Sequence, residues 1–443
     1  MERLIIIFII SIFLSLFESR LIVLNFDRTK DIFSDEDEDV SLNILNNNLV
    51  CNITVGKQEI PFYIAFDKEL TFIVDNNYTF SKYDPNKSTT FRKKSKELNN
   101  YIFENLQLGF NATEEFDLKD EENNLVTIKD MPFVLGTYID PKNNFKYPAQ
   151  LGLKKRTYKN RFIFNFIEHL KLKGIISSQV FFFKFDETEG GGQLFIGAYP
   201  HEFDKDYDAK YLIQSSSLEM GTSNNWFLRF KYLFYGDNKT DIESQIIELA
   251  PEKGMIILNM QYEKIFYDSF FKDLIDKKKC IRIRVKFNYN YVCQDDIDLS
   301  NFQKFKFRHI GMEYDFIFEA KDLFYHYYDR YFFLLSFRDS FYFYLGKPFF
   351  KKYNLIFNQD SKQIAIYSYH ETTNKKIQKL NKVAPITLII IFALLVGVFI
   401  YILFIYRLKK RRKNEIIENY EYTPDETPSK IKDTRLLEMT SSK

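Results

Sequence analysis

Across residues 49–369 the chain alternates short apolar runs with polar punctuation. Runs rich in Val, Ile, Phe and Tyr at 49–55, 61–66, 71–74, 193–197, 226–234, 342–345 and 362–369 are separated by clusters of Asn, Asp, Gly and Lys. Runs of this length between turn residues predict strands. Helical spacing is rare. It occurs at 165–173, with Phe166, Ile167 and Leu170 on one side, and at 261–275, where Tyr262, Ile265, Phe266, Phe270 and Leu274 recur at three- and four-residue steps. The body is expected to be mostly β with few short helices.

Two longer apolar segments carry no charged residue at all. Residues 4–17 form an apolar run at the chain start, the length of a signal-peptide core and short for a bilayer span, which predicts a signal peptide over 1–19. Residues 384–406 are 23 positions without a charge, enough at 1.5 Å per helical residue to cross a hydrocarbon core of about 30 Å. Residues 407–413 then carry six cations in seven positions, so the positive-inside rule places the tail, 407–443, in the cytosol. The expectation is a single-pass type I membrane protein with a lumenal or extracellular body, in the Golgi and endosomal system or at the cell surface. Between signal and body, residues 20–48 include the acidic run Asp35-Glu-Asp-Glu-Asp39 and read as a solvated leader or propeptide-like segment. Residues 371–383 read as a juxtamembrane linker.

Composition narrows the function classes. With 443 residues, 48 Phe and 30 Tyr but only 15 Gly and 11 Pro, the chain is neither disordered nor collagen-like and can bury a large core. A net charge of +2, with the basic excess in the tail, offers no field for nucleic acid. Five scattered histidines suggest no metal centre, and no cofactor motif is present. Sequons at Asn52, Asn77, Asn86, Asn111 and Asn238 are consistent with export and glycosylation. Cys280 and Cys293 flank a short loop and are expected to pair in an oxidising compartment, leaving Cys51 as a buried thiol. In the tail, Asp433, Leu436 and Leu437 form an Asp-x-x-Leu-Leu pattern that resembles a sorting signal read by cytosolic adaptors.

Several segments, in order, resemble pepsin-family aspartic peptidases. Residues 51–62 leading to Ala65-Phe66-Asp67 are similar to the hairpin that delivers the family's first catalytic aspartate. Tyr83-Asp-Pro-Asn-Lys-Ser-Thr-Thr-Phe91, Gly174-Ile-Ile-Ser-Ser178, Gly191-Gly-Gln-Leu-Phe-Ile-Gly197 and Leu345-Gly-Lys-Pro-Phe-Phe350 resemble later family segments. The resemblance implies a bilobal all-β fold, with an N-terminal lobe over 49–205 and a C-terminal lobe over 206–370. It also implies two carboxylates sharing a proton across a water, each in an Asp-Thr/Ser-Gly turn.

The matching turns are altered. The first reads Asp67-Lys68-Glu69, keeping the aspartate and losing hydroxyl and glycine. For the second, counting back from Met255-Ile-Ile-Leu258 places Ala250 where the aspartate would stand, with Glu69 and Glu252 at equivalent third positions and Glu248 facing away. No flap motif appears, Tyr101 being a loose candidate. The expectation is a pepsin-like ectodomain that has lost peptidase activity and binds a peptide or protein in its interlobe cleft. The alternatives are an active endopeptidase using Asp67 with an unrecognised partner carboxylate, and an adhesion or interaction ectodomain working through its outer face.

Overall fold

The computed structural model describes residues 20–28, 37–45, 48–75, 82–96, 106–139, 147–155, 165–186, 191–215, 225–242, 246–340 and 342–368, together with Arg407. The expected signal (1–19), linker (371–383), span (384–406), the tail apart from Arg407, Asn77 and Tyr101 lie outside them. Among the described residues no helix is long and apolar enough to cross a membrane.

Strands dominate, and their local causes are plain. Leu49–Val55 buries every second residue, and the two-residue turn Gly56-Lys57, with φ of 55° and 66°, returns the chain into Gln58–Ala65. Two consecutive positive φ values suit the right-handed twist of a hairpin. Thirteen strands make one sheet that includes the long hairpin Leu106–Asp120/Leu125–Ile139. It also draws in Leu212–Gln214, Ile356–Asn358 and Gln363–Tyr367 from the chain's second half, which extend from Val180–Phe185 and join the two halves. A nine-stranded and a four-stranded sheet build the rest of the second half. The phenylalanines account for much of the core. Phe66, Phe181, Phe183, Phe350 and Phe357 pack with centroids 5.0–6.3 Å apart where the halves meet.

Two helices fall at the expected places. Phe166–Leu172 is capped by Asn165, whose side chain accepts from Glu168 N at 2.8 Å, and it buries Phe166, Ile167 and Leu170. Residues 260–276 form one helical run interrupted by a π turn at Tyr267–Phe271. That wider turn brings Phe270 and Phe271, adjacent in sequence, both into the core.

The segment 20–48 departs from expectation. Ile22–Arg28 is a strand held between Gly191–Ile196 and the start of Leu49–Val55, with Leu21, Ile22, Leu24 and Phe26 buried. Asp37–Leu45 is a helix whose Val40, Ile44 and Leu45 cluster with Met255, Ile257, Val292 and Phe332. The alternation Ile22-Val-Leu-Asn-Phe-Asp27 outweighs the acidic run that follows it, so these residues are core and not a solvated leader. Cys280 and Cys293 are direct cross-strand partners, 4.0 Å apart at Cα, and form a disulfide.

Candidate functional site

The same knot of backbone occurs twice. In the first half, Gln58–Ala65 runs into the turn at Phe66-Asp67, and Phe72–Val74 leads away from it. Ala149–Gly152 lies between these two strands, parallel to the first and antiparallel to the second. In the second half, Ile246–Leu249 and Ile256–Asn259 flank a turn, and Tyr342–Leu345 lies between them in the same senses.

The inserted strand grips each turn. In the first, Leu153 N donates to Ala65 O (3.0 Å), Lys154 N to Lys68 O (2.9 Å) and Gln150 Nε2 to Leu70 O (3.0 Å). In the second, Ala250 N donates to Leu345 O (3.1 Å) and Lys347 N to Lys253 O (2.6 Å). Each insertion is followed or closed by a glycine that touches the turn's carbonyls. A Cβ on Gly152 would lie 2.7 Å from both Glu69 O and Leu70 O, and one on Gly346 would lie 2.2 Å from Met255 O and 2.4 Å from Lys253 O.

This duplication fixes which residues correspond. Gln150 pairs with Tyr63 on one side and Phe72 on the other, and Tyr344 pairs with Glu248 and Ile257. Counting inward from either flank, Ala65 matches Ala250, Asp67 matches Glu252, and Glu69 matches Gly254. The expectation that Ala250 stands where the second carboxylate belongs is therefore corrected by two residues. Glu252 stands there, followed by Lys253 and a retained glycine, Gly254. The sequence held one signal for this, the Gly254 in Glu252-Lys-Gly. The apolar run Met255-Ile-Ile-Leu258 masked it, because such a run sets no unique register. Glu69 and Glu252 are not equivalents.

The charges that meet at the two turns are mixed. Asp67 is about half exposed, 47% for the side chain, and its Oδ2 is 3.0 Å from the Lys68 ammonium. Burial pushes the Glu252 carboxyl up to about 7; Lys253 opposes the rise, Asp67 adds to it, and Lys68 opposes it. Oε2 of Glu252 is buried without a hydrogen-bond partner among the described residues. Glu248, half-buried, is raised by burial and by Asp67 against a hydrogen bond from the Asn225 side chain and the charge of Lys154, so it belongs to the same electrostatic cluster. The Tyr63 hydroxyl is raised by burial, then by Glu252 and Asp67, and its ring stacks on Tyr147 at 5.3 Å. Glu69 is only 8% exposed.

Other expected residues fall elsewhere. Asn52, Asn86 and Asn238 are exposed, whereas Asn111 is 8% exposed inside Leu106–Asp120. Cys51 is a buried free thiol, pushed by burial up to about 12. Asp433, Leu436 and Leu437 lie outside the described residues.

No protein-family model and no curated protein matches the chain. Solved structures do. The basic 7S globulin from soybean superposes with a TM-score of 0.58 at 10% identity, covering 82% of this chain and 99% of that one. Conglutin gamma, a basic 7S globulin from lupine seeds, superposes with a TM-score of 0.57 at 9% identity, covering 80% and 96%. Likeness at such identities establishes architecture alone: the chain has a bilobal, mostly β, pepsin-like fold with few short helices.

Proposed function

We propose that this chain is a pepsin-like ectodomain on a single-pass type I membrane protein, that it does not cleave peptides, and that it holds a peptide or protein segment in the groove between its lobes. The observation that carries this reading is the state of the two turns. A peptidase dyad needs two carboxylates that share one proton around a water. Here Lys68 and Lys253 follow the two carboxylates in place of hydroxyl residues. The Lys68 ammonium lies 3.0 Å from Asp67 Oδ2, on the side chain that a dyad would turn toward a shared water. Glu252 is one methylene longer than aspartate, and Glu69 crowds the first turn where the second keeps Gly254. In this reading the membrane span is 384–406, and the tail motif at Asp433, Leu436 and Leu437 engages cytosolic sorting adaptors.

A second reading has one specific observation in its favour. In that reading Glu252, matched to Asp67 by the duplicated turn, is the partner carboxylate, and with its raised pKa it holds the shared proton of an Asp/Glu dyad. The two readings separate on incubation of the full-length chain with a diverse peptide library from pH 3 to 7, beside Asp67→Ala and Glu252→Gln. Absence of cleavage supports the binding reading. Cleavage that both variants abolish would establish the peptidase.

A further inference from the structure

Near the second turn three buried polar atoms have no hydrogen-bond partner among the described residues: Asn225 Oδ1, Trp226 Nε1 and Glu252 Oε2. Asn225 and Trp226 lie on the segment that pairs with the strand leading into the Glu252 turn. Leu249 N donates to Trp226 O at 3.1 Å, just ahead of the turn that carries Glu252, and Phe227 pairs with Glu248. The site also reaches the first turn. Trp226 packs on Phe357 at 5.2 Å, and Phe357 packs on Phe66, the residue before Asp67, at 5.1 Å. Trp226 itself is only 2% exposed, so bulk water is no substitute partner for its indole N–H.

Buried polar groups left unpaired cost about 1–3 kcal/mol each, which makes such atoms unusual unless something completes them. Two of the three atoms, Asn225 Oδ1 and Glu252 Oε2, are acceptors, and one belongs to a carboxylate. A group that satisfies both must donate more than one hydrogen bond and gains most if it is cationic. Ammonium and guanidinium groups meet those terms, guanidinium with a planar fork of five N–H donors. The chain's own cations are not free to do so in the same way: Lys68 is engaged by Asp67, and Lys253 leaves Oε2 of Glu252 unbonded.

We propose that Glu252, with Asn225 on the segment paired to the strand before its turn, is a subsite for a basic side chain, arginine or lysine, of a peptide bound in the interlobe groove. This rests on the groove-binding reading above and specifies its ligand. Proton linkage follows. Glu252 faces Asp67 and Lys68 from the first turn, Lys253 from its own, and Tyr63 from the strand Gln58–Ala65, with Glu248 close by in the same cluster. A cationic ligand favours the ionised carboxylate, so binding expels the proton that Glu252 carries below neutral pH. Affinity falls as pH falls through about 7.

The test uses the full-length chain and fluorescein-labelled, end-blocked octapeptide pools, read by fluorescence anisotropy. Each pool fixes one central residue as Arg, Lys, citrulline or Glu and randomises the others over Ala, Val, Phe and Ser. At pH 7.5 the Arg and Lys pools are expected to bind at least about tenfold more tightly than the citrulline and Glu pools. Glu252→Gln should bring the Arg pool to within about threefold of citrulline, whereas Lys253→Gln should keep the preference. Between pH 7.5 and 5.5 the Arg pool should weaken about tenfold in the wild type and less than twofold in Glu252→Gln. Near-ultraviolet circular dichroism verifies that both variants are folded. Equal binding of all four pools, or a preference that survives Glu252→Gln, overturns the subsite and leaves the groove reading standing. Binding of no pool overturns both.

Discussion

Glu252 makes folding stability depend on pH with a sign opposite to that of most carboxylates. Its ordinary value is 4.5, and burial first, then Asp67, hold it near 7 in the folded chain against the pull of Lys253 and Lys68. A carboxyl with a raised folded pKa binds its proton more tightly in the native state. Its contribution is fully present below pH 4.5 and is lost as pH rises through 7. At about 1.4 kcal/mol per unit, the shift corresponds to about 3 kcal/mol in all, most of which is lost between pH 5 and pH 8. Glu252→Gln keeps the shape and removes the titration. Denaturant unfolding of wild type and variant, each at pH 5 and pH 8, reads the effect, because titrating groups that do not interact with Glu252 cancel in the difference between the two proteins. The variant should match the wild type within about 1 kcal/mol at pH 5 and exceed it by about 2–3 kcal/mol at pH 8. A difference between the proteins that does not change with pH would refute the placement of Glu252 as a buried, Asp67-facing carboxyl.

Three further outcomes follow from the architecture. Replacing Cys280 and Cys293 by serine opens a loop spanning 13 positions and should cost about 3 kcal/mol of stability, read as a shift in the denaturant midpoint that reductant reproduces in the wild type. Gly346→Ala should cost at least about 2–3 kcal/mol, because its Cβ would lie 2.2 Å and 2.4 Å from two backbone carbonyl oxygens that cannot rotate away; Gly174→Ala, with nothing within 4 Å and only a φ of 70° to strain it, should cost about 1 kcal/mol in the same thermal melts. Deleting residues 20–45 should abolish cooperative unfolding, since it removes a strand from between two partners and uncovers Met255, Ile257, Val292 and Phe332; a variant that still melts sharply would show the segment to be dispensable.

What could be read from the chain depended on how local each cause was. The hairpin turn Gly56-Lys57, the cap at Asn165 and the cysteine pair act over a few residues, so they are legible in sequence, and the hairpin, the helix that Asn165 caps and the disulfide sit where expected. The hairpin Leu106–Asp120/Leu125–Ile139 was hidden because its polar members have tertiary partners. Glu114, completely buried, accepts from the Tyr83 hydroxyl at 2.8 Å and also bonds Thr90. A sequence pattern counts such a residue against a strand, whereas the fold completes its hydrogen bonds from a different part of the chain. The first strand was missed for the converse reason: the charge of Asp35-Glu-Asp-Glu-Asp39 was visible, and the strands on either side of Ile22–Arg28 were not.

The second turn shows the limit most sharply. Between Ile246 and Asn259 the sequence has two apolar runs and three carboxylate or alanine positions that can each be slid into a family pattern. Which of them faces Asp67 is decided by Tyr344, more than ninety residues further on, because it pairs with Glu248 on one side and Ile257 on the other. The inserted strand is what makes the two turns comparable, and Gly346 is what lets it approach. A shift of two residues leaves strand alternation intact, since the side-chain period is two, so hydrophobic patterning cannot detect the error. It does change the chemistry: with Ala250 the cleft would hold one carboxylate at these matched positions, and with Glu252 it holds two, one exposed and lysine-paired, the other buried with an unbonded oxygen. That asymmetry argues for recognition over hydrolysis, because the Asp67 carboxylate that would have to share a water with Glu252 is paired with Lys68 instead.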